Sequence, residues 1–346
     1  MDDLADRYAR LVAHWDARVV QPADRVWVAS EARAVAAQTD STWYRVQSLA
    51  LAAAADAMDG LPLDVRVLLD AGPPPPDKSA LARLSDRLPG DGPVAARLAA
   101  HREATTVPPE RVGSVAEALL ALLQRRAADD LDLPAAIPPL TVVVATDNDR
   151  TRRARLERGG RAHRLVLDGR RRWTIGSLTR AVVAAGVPGG HLVDALRPTM
   201  PVWSPSPQTT VDHGMHAVAR EVLLGDHEFA YELTRIGRGN GLLLSGPSVV
   251  EVERALDELA PSFASVAMSG RSHASALTEL GVDEERARAL LTRWRDPLAR
   301  AECMARAAGP PIVRAWLVRV GQTSGLGRLM REWIVPSELG GTPAGV

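Results

Sequence analysis

The chain has 346 residues, 46% of them hydrophobic and 24% charged, with a formal net charge of zero. This is enough apolar residue for a sizeable core in one large domain or two smaller ones, and it lacks the basic excess of a general nucleic-acid binder. Lys78 is the only lysine and asparagine occurs only at Asn148 and Asn240, as a GC-rich genome would give, so positive charge here means arginine, with its planar, bidentate grip on anions.

Residues 2–18 read as an amphipathic helix, with Leu4, Tyr8, Leu11 and Trp15 on one side and no apolar signal core. DRVWVAS (24–30) reads as a strand, WYRVQSLALAAAADAM (43–58) as a buried helix too short to span a bilayer, and DVRVLLDAG (64–72) as another strand. Four prolines at 73–76 break the chain. Residues 77–130 read as helical, SVAEALLALLQRRA most clearly, and DLDLPAAIPPL as a linker. The linker divides an N-terminal α+β region (1–135) from a C-terminal α+β region (140–346), either separate or integrated in one domain.

LTVVVATDN (140–148) reads as a strand, and RAHRLVLDGRRRWTI (161–175) as a hairpin turning at Asp168-Gly169. Ser177 is placed to cap the helix that follows. GLLLSG, PSVVEVERALDELA and FASVAMSG (241–270) read as strand, helix, strand, and the chain from 271 to Pro336 as helical. Helices and strands mix without regular alternation, so the expected fold class is α+β with a helix-rich C-terminal part. Cys303 is the single thiol, which excludes an internal disulfide and points to a reducing cytoplasm.

HExxH, GxSxG, CxxC and the Gly-Lys-Ser/Thr of a P-loop are all absent. GRGNG (237–241) follows a helix and precedes a strand, the reverse of a dinucleotide fingerprint, so Gly237 and Gly239 read as a helix end and a turn. The stretch VDHGMHAVAREVLLGDHEFAYELTRIG is richer in chemistry. As a helix it puts Met215, Val218 and Val222 on one face and His213, His216 and Arg220 on another, with Gly225 ending it before His227. Three readings stay open for the polar face: a solvated surface, a chelating pair, or a groove in which His213 or His216 moves protons while Arg220 holds an anion or carbonyl. Arg220 puts a permanent cation where a metal would sit, so no metal is expected. Asp226 reads as the N-cap of the next segment. In AWLVRVGQTSGLGRLMREWIVP a helix ends at Gly321 and another carries Trp333. Ser324 reads as its N-cap or, with Gln322, as an amide-facing hydrogen-bonding group; Trp316 and Trp333 read as core or as pocket walls.

The layout of the chain and the closing helix-Gly-helix around VRAWLVRVGQTSGLGRLMREW resemble the thiopeptide pyridine synthases, stand-alone relatives of the lanthipeptide dehydratase elimination domain. The resemblance covers the C-terminal third. It departs from the elimination enzymes, which carry a His and an Asn-Arg pair in this region, where Trp316, Val320 and Gly321 stand here. It implies a cofactor-free reaction on a ribosomal peptide: two dehydroalanines close in a formal aza-[4+2] cyclisation, and water and the leader peptide leave. His213, Tyr231, Gln322 and Ser324 are the groups that would assist it, with Arg220 and Trp316 in the substrate pocket. The strand before Asp168 would take the leader by β-augmentation, Arg164 and Arg170 reading its acidic residues. Neither a nucleic acid nor a membrane is an expected partner. Two other classes stand beside this one. RLVLDGRRRWTIGSLTRAVVAAGV resembles the start of an ATP-cone regulatory module, which implies nucleotide sensing, and the many Ala-Arg helices suit a non-catalytic interaction scaffold.

Overall fold

A computed structural model describes residues 2–15, 22–146, 153–159, 162–269, 274–282 and 284–340. The ends of several expected elements, at 16–18, 147–148, 161 and 270–273, lie outside these residues. The fold is α+β and helix-rich. In chain order the elements are α1 (Asp2–His14), α2 (Pro22–Gln38), α3 (Thr42–Met58), α4 (Val65–Leu69), α5 (Ala80–Arg87), α6 (Val94–Ala104), β1 (Thr106–Val107) and α7 (Val112–Asp130). Then come β2 (Leu140–Ala145), β3 (Ala154–Arg158), β4 (His163–Asp168), β5 (Trp173–Thr174), α8 (Ile175–Ala181) and α9 (Gly190–Leu196). The rest is helical: α10 (Pro207–Gly239), α11 (Gly246–Glu258), α12 (Ala260–Met268), α13 (Ala274–Glu279), α14 (Glu284–Arg293), α15 (Pro297–Val320) and α16 (Gln322–Arg331).

Four expected strands are corrected. DRVWVAS lies inside α2, whose buried stripe is Val28, Ala29, Ala32, Val35 and Ala36, while Val26 and Trp27 face outward. Small residues at helical spacing let α2 lie close on α3, and that packing outweighs the β-branched run. DVRVLLDAG is the short helix α4, which Asp64 caps by accepting from the Arg66 and Val67 amides and which ends where Asp70 turns left-handed at φ 51°. FASVAMSG is α12, following α11 with Ala264 and Ala267 buried. GLLLSG is not a strand either: it is the connection between α10 and α11, with Leu243 98% exposed.

The expected hairpin is also corrected. β4 is the middle of a sheet ordered β2-β4-β3, parallel to β2 and antiparallel to β3. The Gly169 amide continues the β2 ladder by donating to Ala145 O at 2.8 Å, and the chain then runs on to β5, which pairs with β1. Asp168 organises this corner: its carboxylate accepts from the Arg170 amide and its carbonyl accepts from Trp173 Nε1, each at 3.0 Å. As a central strand β4 has no free edge to take a peptide. Thr174, not Ser177, is the N-cap of α8; Ser177 closes the capping box from its third position.

Two cores meet along α10 and α15. One joins α7, the sheet, α8, both halves of α10, the C-terminal part of α15 and α16; the other joins α1 to α4 with Trp203, the N-terminal part of α15 and Val335, so both draw on residues either side of the 131–139 segment. The helices touch closely where Gly214 faces Gly309: a Cβ on Gly214 would lie 2.4 Å from the Gly309 carbonyl oxygen. Pro310 and Pro311 follow inside α15 and have no amide to give, which leaves the carbonyls of Arg306 and Ala307 without their helical donors. No helix among the described residues is long and apolar enough to cross a membrane.

Candidate functional site

The start of α10 is set by sequence. Ser206 and Thr209 form a capping box around Pro207 at the first helical position, which fixes the rotation of the first turns. That rotation turns Asp212, His213 and His216 toward α15 and the 197–206 segment. His213 Nε2 lies 3.0 Å from Glu302 Oε1 on α15. Glu302 also accepts from the Ser204 hydroxyl at 2.9 Å and from Arg306 Nε at 3.1 Å and Nη2 at 2.9 Å. Beside it, Asp212 accepts from Arg197 Nη1 at 3.0 Å and Gln208 Nε2 at 3.1 Å, and Gln208 Oε1 accepts from Trp43 Nε1 at 3.0 Å. Arg197 is buried, lies over the Trp333 ring at 4.8 Å, and donates its second arm to the Leu329 carbonyl.

The electrostatics separate the two histidines. Burial would raise the Glu302 carboxyl, but the His213 hydrogen bond and the Arg306 charge outweigh it and hold the group well below the usual carboxylate range. An ionised Glu302 accepts only, so Nε2 of His213 carries a proton, and the neutral imidazole has its lone pair on Nδ1. His216 lies one turn along and half-buried. Desolvation, helped by His213, Arg197 and Arg306 against Asp212, pushes it down to about 4, so it is neutral at neutral pH. The site therefore holds one imidazole oriented by a carboxylate and one kept uncharged, on neighbouring turns of a single helix.

The other expected site residues stand elsewhere. At Gly225 (φ 65°, ψ 165°) the backbone is non-helical, so α10 is two helices joined at a kink and the first ends where expected; Tyr231, on the second, is exposed in a surface groove with His227, Arg235 and Arg238. Arg220 turns away from the histidines to Asp226, at 2.8 Å, and lies over Phe229; Asp226 also receives Arg254, so it serves ion pairs. The helix runs through Gly237 and Gly239 to a C-cap at Asn240. Gln322 and Ser324 are exposed at the start of α16. They lie 20 and 22 residues after Glu302, roughly 30 Å along the α15 axis at the helical rise. The expected N-cap role of Ser324 is corrected: it is inside α16 and donates back to the carbonyls of Val320 and Gly321, at 3.1 and 3.4 Å. Trp316 is buried with Arg328 over its ring, and it belongs to a different core from Trp333, so the two do not wall one pocket. Arg164 and Arg170 are exposed, paired with Glu157 and Asp168.

Sequence reasoning missed Glu302, Ser204, Asp212 and Arg197, and it missed a second histidine pair. His163 at the start of β4 and His191 on α9 are buried with their Nδ1 atoms 3.0 Å apart. Desolvation, then the neighbouring His163, pushes His191 down to about 4, against Asp194 and a hydrogen bond to Pro138. Among the described residues no group of three or more His, Cys, Asp or Glu is arranged to hold a metal ion. Cys303 is half-buried on α15, and desolvation raises its thiol to about 11. No protein family, no curated protein and no solved structure matches the chain.

Proposed function

We propose that the chain is a cofactor-independent enzyme that moves protons on a peptide substrate in the cytoplasm, with His213 as its base. The observation that carries this reading is the His213–Glu302 pair: a carboxylate held ionised lies 3.0 Å from Nε2 of a quarter-exposed imidazole, which in its neutral form leaves Nδ1 as the proton acceptor. Glu302 touches no substrate in this scheme; it is a positioning residue. Neutral His216 supplies the second proton-handling group, and Arg306 and Arg197 supply positive charge where negative charge develops.

The specific reaction we assign is pyridine formation from two dehydroalanines. Its demands are proton transfers alone. One dehydroalanine amide tautomerises to its iminol, giving an azadiene, and two carbon–carbon bonds form to the second dehydroalanine. The iminol hydroxyl then leaves as water and the second dehydroalanine's nitrogen leaves with the leader as an amide, so the sum is redox-neutral. His213 would take the amide proton and return it to a leaving group. In single-turnover assays on a dehydrated peptide, His213→Asn should lose on the order of 100-fold or more in rate. Glu302→Gln should shift the pH profile of that rate as well as lower it, and should lower the melting temperature somewhat, because the ion pairs with His213 and Arg306 go with the charge. Full turnover by folded His213→Asn would refute the assignment.

A further inference from the structure

We propose that the outer edge of β2 is the surface on which two copies of this chain join, antiparallel, across a two-fold axis. In the order β2-β4-β3 the outer strands are β2 and β3. The parallel ladder fixes which way each β2 residue points. The His163 amide donates to Pro139 O and the Gly169 amide to Ala145 O, both at 2.8 Å. In register with these, residues 141, 143 and 145 turn their N–H and C=O toward β4. By alternation Val142 and Val144 turn theirs outward. Among the described residues neither makes a backbone hydrogen bond outside the sheet pairing, and Val144 is 38% exposed.

The two edges are defended differently. β3 carries Arg155, Glu157 and Arg158, tied into ion pairs with one another, with Arg164 and with Asp194, which is how natural sheets blunt an edge. From Ile137 to Thr146 the chain around β2 has no charge at all. An apolar, β-branched edge whose outward donors and acceptors no described residue takes is built to pair.

Charge placement selects a second copy as the occupant. α7 runs antiparallel to β2: a Cβ on Gly113 would lie 3.6 Å from Val144 Cγ2, while Leu120 and Leu140 converge on Gly186. Exposed Arg111, just before α7, and exposed Arg170, just after β4, therefore flank the C-terminal end of β2. Exposed Asp129, Asp130 and Asp132 lie past its N-terminal end. Antiparallel pairing of β2 with its own copy sets the arginine end of each against the aspartate end of the other, and sets valine on valine at the centre. Two three-stranded sheets become one of six strands.

The test is the mass in solution, by light scattering and sedimentation at tens of micromolar protein. The wild-type chain should be a dimer. Val144→Pro removes an outward donor and leaves every donor that β4 uses, so it should be a monomer with unchanged circular dichroism. Val143→Pro removes a ladder donor and should lose the fold instead. Val144→Lys keeps the amide and brings like charge to like across the axis; it should raise the dissociation constant at least about tenfold, and it decides the matter if Val144→Pro does not fold. A monomeric wild type overturns the proposal, including one whose β2 edge takes a foreign extended peptide. So does a Val144→Lys chain that dimerises as tightly as wild type.

Discussion

At the scale of single residues, what a side chain can do here is decided by a neighbour far away in sequence. His213, His216 and Arg220 share a face by helical spacing, and that much could be read directly from positions 213, 216 and 220. Glu302 could not, because nothing local to RAECMARAA links it to a histidine 89 residues earlier. Arg220 left the expected face because Asp226, just beyond the Gly225 kink, offers it a carboxylate at 2.8 Å. The same logic demotes Gln322 and Ser324. The Ser324 hydroxyl donates into its own helix junction, to Val320 and Gly321, and both residues are solvent-exposed. Ser324→Ala should cost at most about 1 kcal/mol of stability, as for a surface hydrogen bond, and Gln322→Ala less. Neither should change single-turnover rate. A large rate loss in either variant, with melting unchanged, would move the active site to the α15–α16 junction.

Elements were legible where periodicity and packing agreed. α3, α7 and α11 show their buried stripes plainly, and the apolar run 140–145 is a strand as expected. The misread segments are short apolar runs, where strand and helix look alike until a partner is known. DRVWVAS and FASVAMSG became helices because alanine-rich neighbours let helices come close, and RLVLDG joined a sheet through a parallel partner some twenty residues upstream. The crossing of α10 and α15 rests on the same close approach. Gly214 and Gly309 face one another, and a Cβ on Gly309 would lie 2.2 Å from the Thr210 carbonyl oxygen. Backbone cannot give way as a flexible side chain can, so Gly214→Ala must push the helices apart and should destabilise by about 1–3 kcal/mol or more, despite the better helix propensity of alanine. Urea unfolding measures this. Because His213 adjoins the crossing, the folded fraction should also lose rate. A Gly214→Ala chain as stable as wild type would mean that the helices do not meet there.

Across the whole molecule, buried histidines set how the fold responds to acid. His191 and His216 are both pushed down to about 4 from an ordinary value near 6.5, and burial lowers His101 as well. The unfolded chain binds these protons more readily than the folded one, so their contribution is complete above pH 6.5 and is lost as pH falls toward 4. Each proton involved gives a slope of about 1.4 kcal/mol per pH unit. Glu302, held low, adds to the loss below its ordinary value near 4.5. Asp70, raised chiefly by burial, acts in the opposite sense: it favours the folded state at acid pH, which softens the lower end of the window. The expected result of urea titrations at fixed protein concentration is a plateau above pH 6.5 and a decline beneath it. His191→Gln tests one of these two contributions. It removes one titrating group from a pair 3.0 Å apart while keeping a donor and an acceptor, so its decline should be shallower by about one proton's slope. Stability that stays flat down to pH 4.5, or a His191→Gln chain that declines as steeply as wild type, would show that His191 is not held uncharged in the folded protein.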